Sequence, residues 1–593
     1  VVYVYIHSQD QLQLAYLHWA RLVRHKSLRK TMEESVISEF EAVGIAVNDE
    51  VASKCAELCK IYKLSEEDVV AHWVNVSISK LGGVEPTVSN LRVLEEALTS
   101  EQQKKANVNS KHASPQVDDI LYQRKLANEE KEEAEEEDLL NTYGTPRSSK
   151  VRPPSSFPFF INPSQKYSSR SNAGDVIAVF GDESVQEWKR TDGVSFTIKL
   201  FSDEEALKEP FMYMRQSAAD KAIELECRLD AMVKALQDHL HVDGFHNIHL
   251  NRDEEAWMAG KIRSDMDGKL NKESLVLEDG IDGLGIPLDV SELNEYSLFP
   301  GQSVAVKGTN PTGVRVIAKE IQLGVLPPLP QTEVHGPGLL EVVIAAGPFS
   351  VEENLLNEPW QDLVNYLREA KPHILFLLGP FLDAQNALVV KGNLKEPYEV
   401  IFTRFVEAII QTTSELDIEL AIIASSMDVH HHPIFPTPPY SLKFPLPKNV
   451  HIFSDPCMLD INGFIMGVTS IDVLFHLGKE EVVNGMSSDR LSRLARHLLL
   501  QQNFYPLFPP SEEVNLELDQ LRMYGGLHVR PHLLVLPSQL KGFIKEVDGC
   551  CILNPERLAK KSAGGCFARL EIDLSQGNDF TILKHLQGQV KKI

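Results

Sequence analysis

Between residues 339 and 424, short apolar runs alternate with longer stretches in which apolar residues recur at helical spacing. The apolar runs are residues 341–346 (EVVIAA), 373–378 (HILFLL) and 419–424 (ELAIIA), and helices are predicted around 355–370 and 398–413. Continuous Val, Ile and Leu runs are typical of strands that helices bury on both faces. The pattern therefore predicts an α/β layered domain, with further strands at 450–453, 463–468, 532–536 and 567–574.

A different pattern precedes this domain, with short strands that are separated by turn signals. These strands are predicted at residues 256–262, 274–277, 303–307 and 314–318. Their number and spacing favour a small β-barrel, and an OB fold has the size that fits. We assign residues 171–331 to an OB-fold domain with a helical insert at 214–240, an initial strand in 175–181 and a closing proline-rich connector at 324–331.

The N-terminal region predicts a small helical bundle over residues 32–100. Asn48 is a suitable N-cap for a helix, and Ser65 begins a capping-box-like pattern for the next one. The predicted inner faces carry Val36, Ile37, Phe40, Val43, Val51, Cys55, Leu58, Cys59, Tyr62, Val69, Val70, Trp73, Val74, Leu91, Leu94 and Leu98. Residues 1–31 have the pattern of neither a signal peptide nor a transit peptide, and we expect an extension with no clear role.

Residues 101–170 have the composition of a disordered linker. Eight of the ten residues from 129 to 138 are acidic, and Pro- and Ser-rich sequence follows. Such a segment buries too little apolar surface to offset its chain entropy, so we expect an acidic, flexible tether. Ser114 and Thr145, each followed by proline, are candidate phosphorylation sites.

Charge and cysteine content exclude several classes of protein. With 59 basic and 84 acidic residues the net charge is −25, which argues against the phosphate backbone of a nucleic acid as the main partner. No apolar run approaches the ~18 residues of a membrane helix, so no membrane partner is expected. The seven cysteines form no CxxC pair; we predict Cys55 and Cys59 to be core residues in a reducing compartment.

Ligands in α/β domains gather at the carboxyl ends of the strands, so the loops there are the places to search. They read Ala-Gly-Pro-Phe at 346–349, Gly-Pro-Phe-Leu-Asp at 379–383 and Ser-Ser-Met-Asp-Val-His-His-His at 425–432. His430, His431 and His432 are adjacent and cannot all face one metal from an ordinary loop, so we expect a structural role for them. Phosphate-binding glycine motifs and a nucleophilic G-x-S-x-G motif are absent from the sequence.

These loops resemble those of calcineurin-like metallophosphoesterases, in which D-x-H, G-D-x-x-D, G-N-H-D/E and G-H-x-H motifs hold two divalent metals. Here Ala346 begins a first motif without Asp or His, and Pro380 replaces the bridging aspartate of the second. Ser426 and Met427 replace the asparagine and histidine of the third, while Ser538 lies in a last motif without histidine. The resemblance implies that residues 332–593 form a metal-free phosphoesterase-like domain with no catalytic, cofactor-binding or metal residues, in which Asp383 and Asp428 are structural.

Longer stretches resemble the B-subunit family of DNA polymerase alpha. They lie at residues 163–172, 293–302, 378–384, 428–431, 467–478 and 505–510, and the resemblance spans about 32–593. It implies a multidomain α+β protein: helical bundle, acidic linker, OB-fold barrel and inactivated phosphoesterase domain. It also implies a nuclear, non-catalytic accessory subunit without cofactors.

The same resemblance implies the partners. The OB-fold and phosphoesterase-like domains are expected to bind the zinc-bearing C-terminal domain of the catalytic polymerase subunit, within a complex that includes the primase subunits. The N-terminal bundle is expected to dock other replication proteins.

Two other functions remain open at this point. One is a metal-dependent phosphoesterase or 3′-exonuclease, against which the missing ligands weigh. The other is a binder of single-stranded nucleic acid that uses the barrel, which needs exposed aromatic residues along a basic groove. The barrel segment has Trp257 but few clustered basic residues, so we expect any DNA contact to be weak or indirect.

Overall fold

A computed structural model describes residues 164–593 except 182–189, 191–192, 194–195, 267, 281–283, 337 and 578–579. Of the N-terminal region it describes residues 36–37, 40, 45, 47–62, 69–70, 73, 86–87 and 90–92. The chain divides into two compact units, Val1–Glu129 and Glu130–Ile593. The expected extension at 1–31, the linker from 101 to 163 and both phosphorylation candidates lie outside the described residues.

The first unit contains helix α1 (Asp49–Tyr62). Its N-cap is the predicted one, because the side chain of Asn48 accepts a hydrogen bond of 2.9 Å from the Val51 N–H. The described apolar residues form one buried cluster: Val36, Phe40, Val51, Ala52, Cys55, Leu58, Cys59, Val69, Val70, Trp73 and Leu91. Cys55 and Cys59 are thus core residues, and burial raises the pKa of the Cys55 thiol to about 12. The helical bundle over residues 32–100 itself stays a prediction.

The second unit holds all the strands of the described chain. They are β1 (Val176–Phe180), β2 (Ile198–Leu200), β3 (Arg252–Ser264), β4 (Leu275–Glu278), β5 (Gly285–Asp289), β6 (Tyr296–Leu298), β7 (Ser303–Asn310), β8 (Val316–Gln322), β9 (Leu339–Ala346), β10 (Ile374–Leu378), β11 (Glu419–Ile423), β12 (Val450–Phe453), β13 (Cys457–Ile461), β14 (Phe464–Val468), β15 (Val482–Asn484), β16 (Leu533–Val535), β17 (Phe543–Val547), β18 (Cys550–Asn554), β19 (Ala559–Lys560), β20 (Ala563–Gly564), β21 (Cys566–Asp573) and β22 (Leu586–Lys592).

Helices connect many of these strands. They are α2 (Gln165–Ser168), α3 (Ala218–Leu240), α4 (Glu358–Ala370), α5 (Ala387–Val390), α6 (Tyr398–Glu415), α7 (Val473–Glu480), α8 (Arg490–Leu500), α9 (Leu518–Tyr524) and α10 (Ile582–His585). None of the helices described here is long and apolar enough to span a bilayer. All seven cysteines are free thiols, and only Cys227 is exposed.

The predicted barrel is present and closed, with strand order β3-β4-β5-β8-β7. The sequence pattern had indicated four of its five strands; β5, which contains a proline, was not among them. Helix α3 packs outside β3 and β7, where Met232, Leu236 and Ala305 are buried together. Trp257 lies half-buried under this helix, so the helical insert covers one outer face of the barrel.

Thirteen of the remaining strands form a sandwich of two sheets, while β6 pairs with β15 and β19 pairs with β20 in two small sheets. The seven-stranded sheet has the order β1-β22-β21-β9-β10-β11-β12, and the six-stranded sheet has the order β17-β18-β16-β14-β13-β2. Their facing sides share one apolar cluster, in which Val342 and Ile344 of β9 lie with Leu459 and Ile461 of β13. The prediction that helices cover both faces of each strand is therefore wrong, since the inner face of each sheet packs against the other sheet.

Helices cover only the outer faces. Alternate residues of β9–β11 pack with α4 and α6, while those of β16–β18 pack with α7 and α8. The observed layers are helix, sheet, sheet and helix. A fully apolar strand sequence fits both arrangements, because a helix and a second sheet bury a strand face equally well.

The range 171–331, expected as a single barrel domain, also supplies strands to the sandwich. Strand β1 pairs with β22 and strand β2 pairs with β13. The chain is already anchored at Ser164, inside the range expected to be linker: Tyr167 donates a 2.9 Å hydrogen bond to Asp362 of α4. The Arg170 guanidinium stacks on the Tyr167 ring and donates to the Ile593 carbonyl. These strands and anchors depend on pairings across hundreds of residues, which local sequence patterns do not report.

A buried polar network joins the barrel region to the sandwich where β6 pairs with β15. The Ser297 hydroxyl donates to Glu481 at 2.5 Å, and the Arg493 guanidinium donates two bonds to the same carboxylate at 2.7 and 3.0 Å. Nε2 of His497 lies 2.8 Å from Oγ of Ser297 and 3.3 Å from Oε1 of Glu481. All four side chains are buried, so the junction excludes water.

The charge of Glu481 reflects these contacts. Burial alone raises its pKa, but the hydrogen bonds from His497, Arg493 and Ser297 outweigh burial and lower the pKa to about 2. Because the folded pKa lies below the ordinary 4.5, this carboxylate stabilises the fold above that pH. Its contribution is lost as the pH falls toward the folded pKa.

Replacing Glu481 with Gln tests the importance of this network. Arg493 then remains as a buried guanidinium without a counter-charge, so we expect the free energy of unfolding to fall by roughly 3 kcal/mol. Calorimetry at neutral pH measures the loss, with the exposed Glu295→Gln as a matched control. Equal effects of the two substitutions would contradict the assignment.

Candidate functional site

The loops expected to form a site meet at the carboxyl edge of the seven-stranded sheet. Strands β9, β10 and β11 are parallel neighbours in register, with Ala346 opposite Leu378 and Leu378 opposite Ile423. The Gly347 N–H donates to the Leu378 carbonyl at 2.8 Å, and the Gly379 N–H donates to the Ile423 carbonyl at 3.0 Å. The edge geometry thus brings the three loops together as predicted.

Two glycines let these loops touch directly. A Cβ on Gly347 would lie 2.0 Å from the Pro380 carbonyl oxygen. A Cβ on Gly379 would lie 2.6–2.8 Å from Ser425, the Tyr440 hydroxyl and the Asp428 carboxylate. Backbone atoms and buried side chains therefore fill the space between these loops. The residues present do not fit a dinuclear metal centre.

Asp428 is buried, and its carboxyl group accepts hydrogen bonds from the protein itself. Its Oδ1 accepts hydrogen bonds from the N–H groups of Phe381 (2.8 Å) and Leu382 (2.6 Å). Its Oδ2 accepts from the Tyr440 hydroxyl, which in turn accepts from the Ser425 N–H at 3.0 Å. Burial raises the pKa of Asp428 to about 7, against the opposing effect of these donors.

Asp383 lies close by without joining Asp428 in a ligand pair. The two residues form an isolated backbone bridge, and Oδ1 of Asp383 accepts from the Gln385 N–H at 2.9 Å. Burial raises the pKa of Asp383. Within the part of the chain that the structure describes, no three His, Cys, Asp or Glu side chains are placed to hold a metal ion.

The three histidine rings lie side by side, with His431 6.0 Å from His430 and 5.0 Å from His432 between ring centroids. The His430 ring packs on Phe402 with centroids 3.7 Å apart, and His431 Nε2 lies 2.7 Å from the Pro438 carbonyl. The His432 ring meets Tyr213 edge-on at 5.6 Å. Burial lowers the pKa of both His430 and His431 to about 4, so both rings are neutral at physiological pH. The histidines thus pack against one another and against aromatic and backbone neighbours.

The remaining motif positions also serve the fold. The Ser538 N–H donates to Asn554 Oδ1 at 2.9 Å, and its hydroxyl accepts from the Leu540 N–H at 3.1 Å. Ala346 is buried in the layer between the sheets. The Met427 N–H makes a 3.3 Å hydrogen bond to the Ser425 hydroxyl.

Sequence reasoning missed two acidic residues and one basic residue at this edge. Asp455 closely follows β12 and accepts from Thr469 (2.7 Å) and from the Ser470 N–H (2.9 Å) and hydroxyl (2.5 Å). Burial raises its pKa to about 6. Asp472 and Arg557 follow β14 and β18. Asp455 follows a predicted strand, so the sequence could have identified it as an edge residue. No predicted strand precedes Arg557 closely, so nothing in the sequence singled it out.

Several cations of the barrel are paired with carboxylates. Lys261 and Arg263 both pair with Glu278, at 3.1 and 2.8 Å, and Lys319 pairs with Glu255 at 3.0 Å. Paired cations have less charge available for phosphate contacts. Single-strand binders also stack bases on exposed aromatic rings, and the tryptophan of β3 lies under α3.

Three family models match this chain in succession. The model for the N-terminal region of the DNA polymerase alpha B subunit matches residues 34–100, and that for the OB domain of the same protein matches 223–324. The model for the B subunit of DNA polymerases alpha and epsilon matches 342–545.

Curated relatives match over most of their length. The DNA polymerase alpha B subunit of Rattus norvegicus is 34% identical over 576 residues, covering 91% of this chain and 95% of the relative. The corresponding protein of Drosophila melanogaster is 29% identical, covering 95% of this chain and all of the relative. That of Saccharomyces cerevisiae is 26% identical, covering 69% of each.

Replacing Asp428 with Asn tests its titration. The folded pKa of about 7 lies above the ordinary 3.8, so between these two pH values Asp428 holds a proton in the folded protein that it has released in the unfolded chain. Its contribution to stability is therefore lost as the pH rises through this range. Asparagine keeps an oxygen for the two N–H groups and does not titrate. We therefore expect the free energy of unfolding of the variant, measured in urea, to rise relative to that of the wild type as the pH increases from about 4 to 7, because both proteins share the contributions of Asp455, His430 and His431 and differ in that of Asp428.

The exposed Asp253→Asn is the control for this measurement. Its pH profile should follow that of the wild type. A profile of Asp428→Asn that also ran parallel to the wild type would show that Asp428 does not titrate in this range.

Proposed function

The chain belongs to the B-subunit family of DNA polymerase alpha, and from this membership we propose that it is the non-catalytic accessory subunit of the DNA polymerase alpha–primase complex. The observation that carries the proposal is the identity of 34% to the rat protein over 91% of the chain. We assign it a nuclear role in replication initiation and lagging-strand priming, because the relatives are named as subunits of a replicative polymerase.

We also propose that residues 332–593, together with β1 and β2, form an inactivated calcineurin-like phosphoesterase domain. The two-sheet sandwich and the meeting of the motif loops at one sheet edge support this. The close contacts at Gly347 and Gly379, and the use of Asp428 as a hydrogen-bond acceptor, support a loss of metals. Residues 32–100 are proposed as a tethered docking module for other replication proteins, with 101–163 as its acidic linker.

The proposed partner surface is the barrel and sandwich acting together, and its partner is the zinc-bearing C-terminal domain of the catalytic subunit. The connector at 324–331 is fastened to the sandwich, since the Val325 N–H donates to the Leu500 carbonyl at 2.9 Å and the Arg530 N–H donates to Pro328 at 2.8 Å. With the buried Glu481 network, these contacts favour a single platform. Stable complexes bury more than ~1,000 Å², which a two-domain surface can supply.

A pull-down tests this partner assignment. A fragment that begins at residue 164 retains the whole barrel and sandwich, whereas a fragment that ends near residue 100 retains only the N-terminal module. We expect the first, like the full chain, to retain the polymerase catalytic subunit, and the second to lose it. Equally tight binding by the N-terminal fragment would show that the platform is misassigned.

The enzyme alternative, a metal-dependent phosphoesterase or 3′-exonuclease, predicts the opposite biochemistry. We expect the purified full chain to hold no stoichiometric transition metal and to hydrolyse neither a phosphodiester nor a DNA 3′ end above background. Elemental analysis and a nuclease assay with added Mn²⁺ measure this, with Asp383→Ala and Asp428→Ala as controls for contamination. Activity that purifies to homogeneity and disappears in these variants would establish the enzyme instead.

A further inference from the structure

The connector between the barrel and the sandwich is confined by its prolines to one kind of backbone conformation. It contains Pro327, Pro328 and Pro330, and the peptide bonds that precede them are trans. A proline ring fixes its own φ at about −65°, and a residue before proline is driven toward extended or polyproline II conformations. Every residue from 326 to 330 is a proline, precedes one, or both. Because residues 323–333 contain no helix, strand or turn, these restrictions define a short polyproline II segment.

Burial along the connector follows the three-residue repeat of such a segment. Pro327 is buried and Pro330 is half-buried, whereas Pro328, Leu329 and Gln331 are exposed. A polyproline II helix has three residues per turn, so positions 327 and 330 lie on the same ridge. This ridge faces the body of the protein, and the other two ridges face solvent.

Hydrogen bonds hold the connector in this position. The Arg530 guanidinium donates to the Pro327 carbonyl at 3.2 and 3.3 Å, and the Arg530 N–H donates to the Pro328 carbonyl at 2.8 Å. Beyond the prolines, the Thr332 hydroxyl donates to the Gly463 carbonyl at 2.9 Å. The segment is thus ordered before any partner arrives, which lowers the entropy cost of binding one.

Leu329 is the large apolar side chain on the outward ridges. It is 61% exposed, whereas its neighbours Val325 and Leu326 pack against buried apolar clusters. A single exposed leucine is common on protein surfaces and by itself indicates nothing. This leucine differs because it stands between two prolines on a backbone that is already fixed, with further apolar surface from Pro328 beside it.

We propose that residues 327–331 form a docking site for a protein domain with an aromatic-lined groove that binds polyproline II segments. Grooves of this kind exploit the preformed, low-entropy conformation of the segment, and a groove can contact the two ridges that the connector presents. So short a contact buries less than the ~1,000 Å² of a stable complex, so the association is weak and transient. The proposal goes beyond the role as a polymerase subunit and does not depend on it.

A second leucine between prolines offers a matched control. Leu446, between Pro445 and Pro447, is 42% exposed. All three of these residues are exposed, so neither proline is held against the protein as Pro327 is. The chain also turns directly after them, where the Pro447 carbonyl accepts from the Val450 N–H at 3.2 Å. The two segments share the sequence Pro-Leu-Pro and differ in the fixed, extended backbone around it.

The first test is an NMR titration of isotope-labelled WW and SH3 domains with the unlabelled full chain. We expect at least one domain of the panel to bind the wild type and Leu329→Ala to weaken this binding by about ten-fold or more. Leu446→Ala should change it by less than about two-fold. Both variants should melt at the wild-type temperature, because both leucines are exposed. Binding by no domain of the panel, or equal effects of the two substitutions, would overturn the proposal.

Two further measurements separate the docking site from other roles of the connector. Pro330→Ala keeps Leu329 but relaxes the backbone, so it should weaken the same binding by about three-fold or more, while Pro447→Ala should leave it unchanged. In a pull-down, Leu329→Ala should retain the polymerase catalytic subunit as well as the wild type does. Loss of that subunit in Leu329→Ala would place the leucine in the polymerase interface and would overturn the docking site proposed here.

Discussion

The apolar layer between the two sheets is the constraint on which the rest of the structure depends. It takes residues from most strands of the sandwich, including β9 and β10 on one side and β13 and β14 on the other. A sheet needs one buried face, and here each sheet supplies that face for the other. Because the strands must fill this layer from end to end, the carboxyl ends of the parallel strands lie together. The loops that follow these ends are therefore crowded at one edge of the sandwich, which we call the rim.

This layer also explains which parts of the fold could be predicted from the sequence. The runs at 341–346, 373–378 and 419–424 are local signals, and they form β9, β10 and β11 close to the predicted bounds. The sequence of a strand does not show which element packs on each of its faces, because an apolar residue packs equally well under a helix or under a second sheet. The pairing of β1 with β22 joins residues more than 400 positions apart, so no periodicity in either segment indicates it.

In the loops of this rim, too, some features follow from nearby residues and others depend on residues far away in the chain. The strand pattern placed Asp383 and Asp428 correctly in loops that follow neighbouring strands, while the replacement of ligands by Pro380 and Met427 stays a prediction. The sequence predicted a structural role for Asp428 but not its hydrogen-bond donors. These are two backbone N–H groups 46–47 residues away and the Tyr440 hydroxyl.

The residues of these loops show how a crowded sheet edge can be buried with its polar groups bonded. Some positions carry no charge, as at Ala346 and Pro380. Asp428 has three hydrogen-bond donors around its carboxyl group and a pKa of about 7, so the group is about half protonated near physiological pH. Asp455 accepts from Thr469 and Ser470, and Asp472 accepts from the N–H groups of Phe475 and Gln539. Because each carboxyl group takes at least one donor from another segment of the chain, the same hydrogen bonds that compensate its burial also hold the loops against one another.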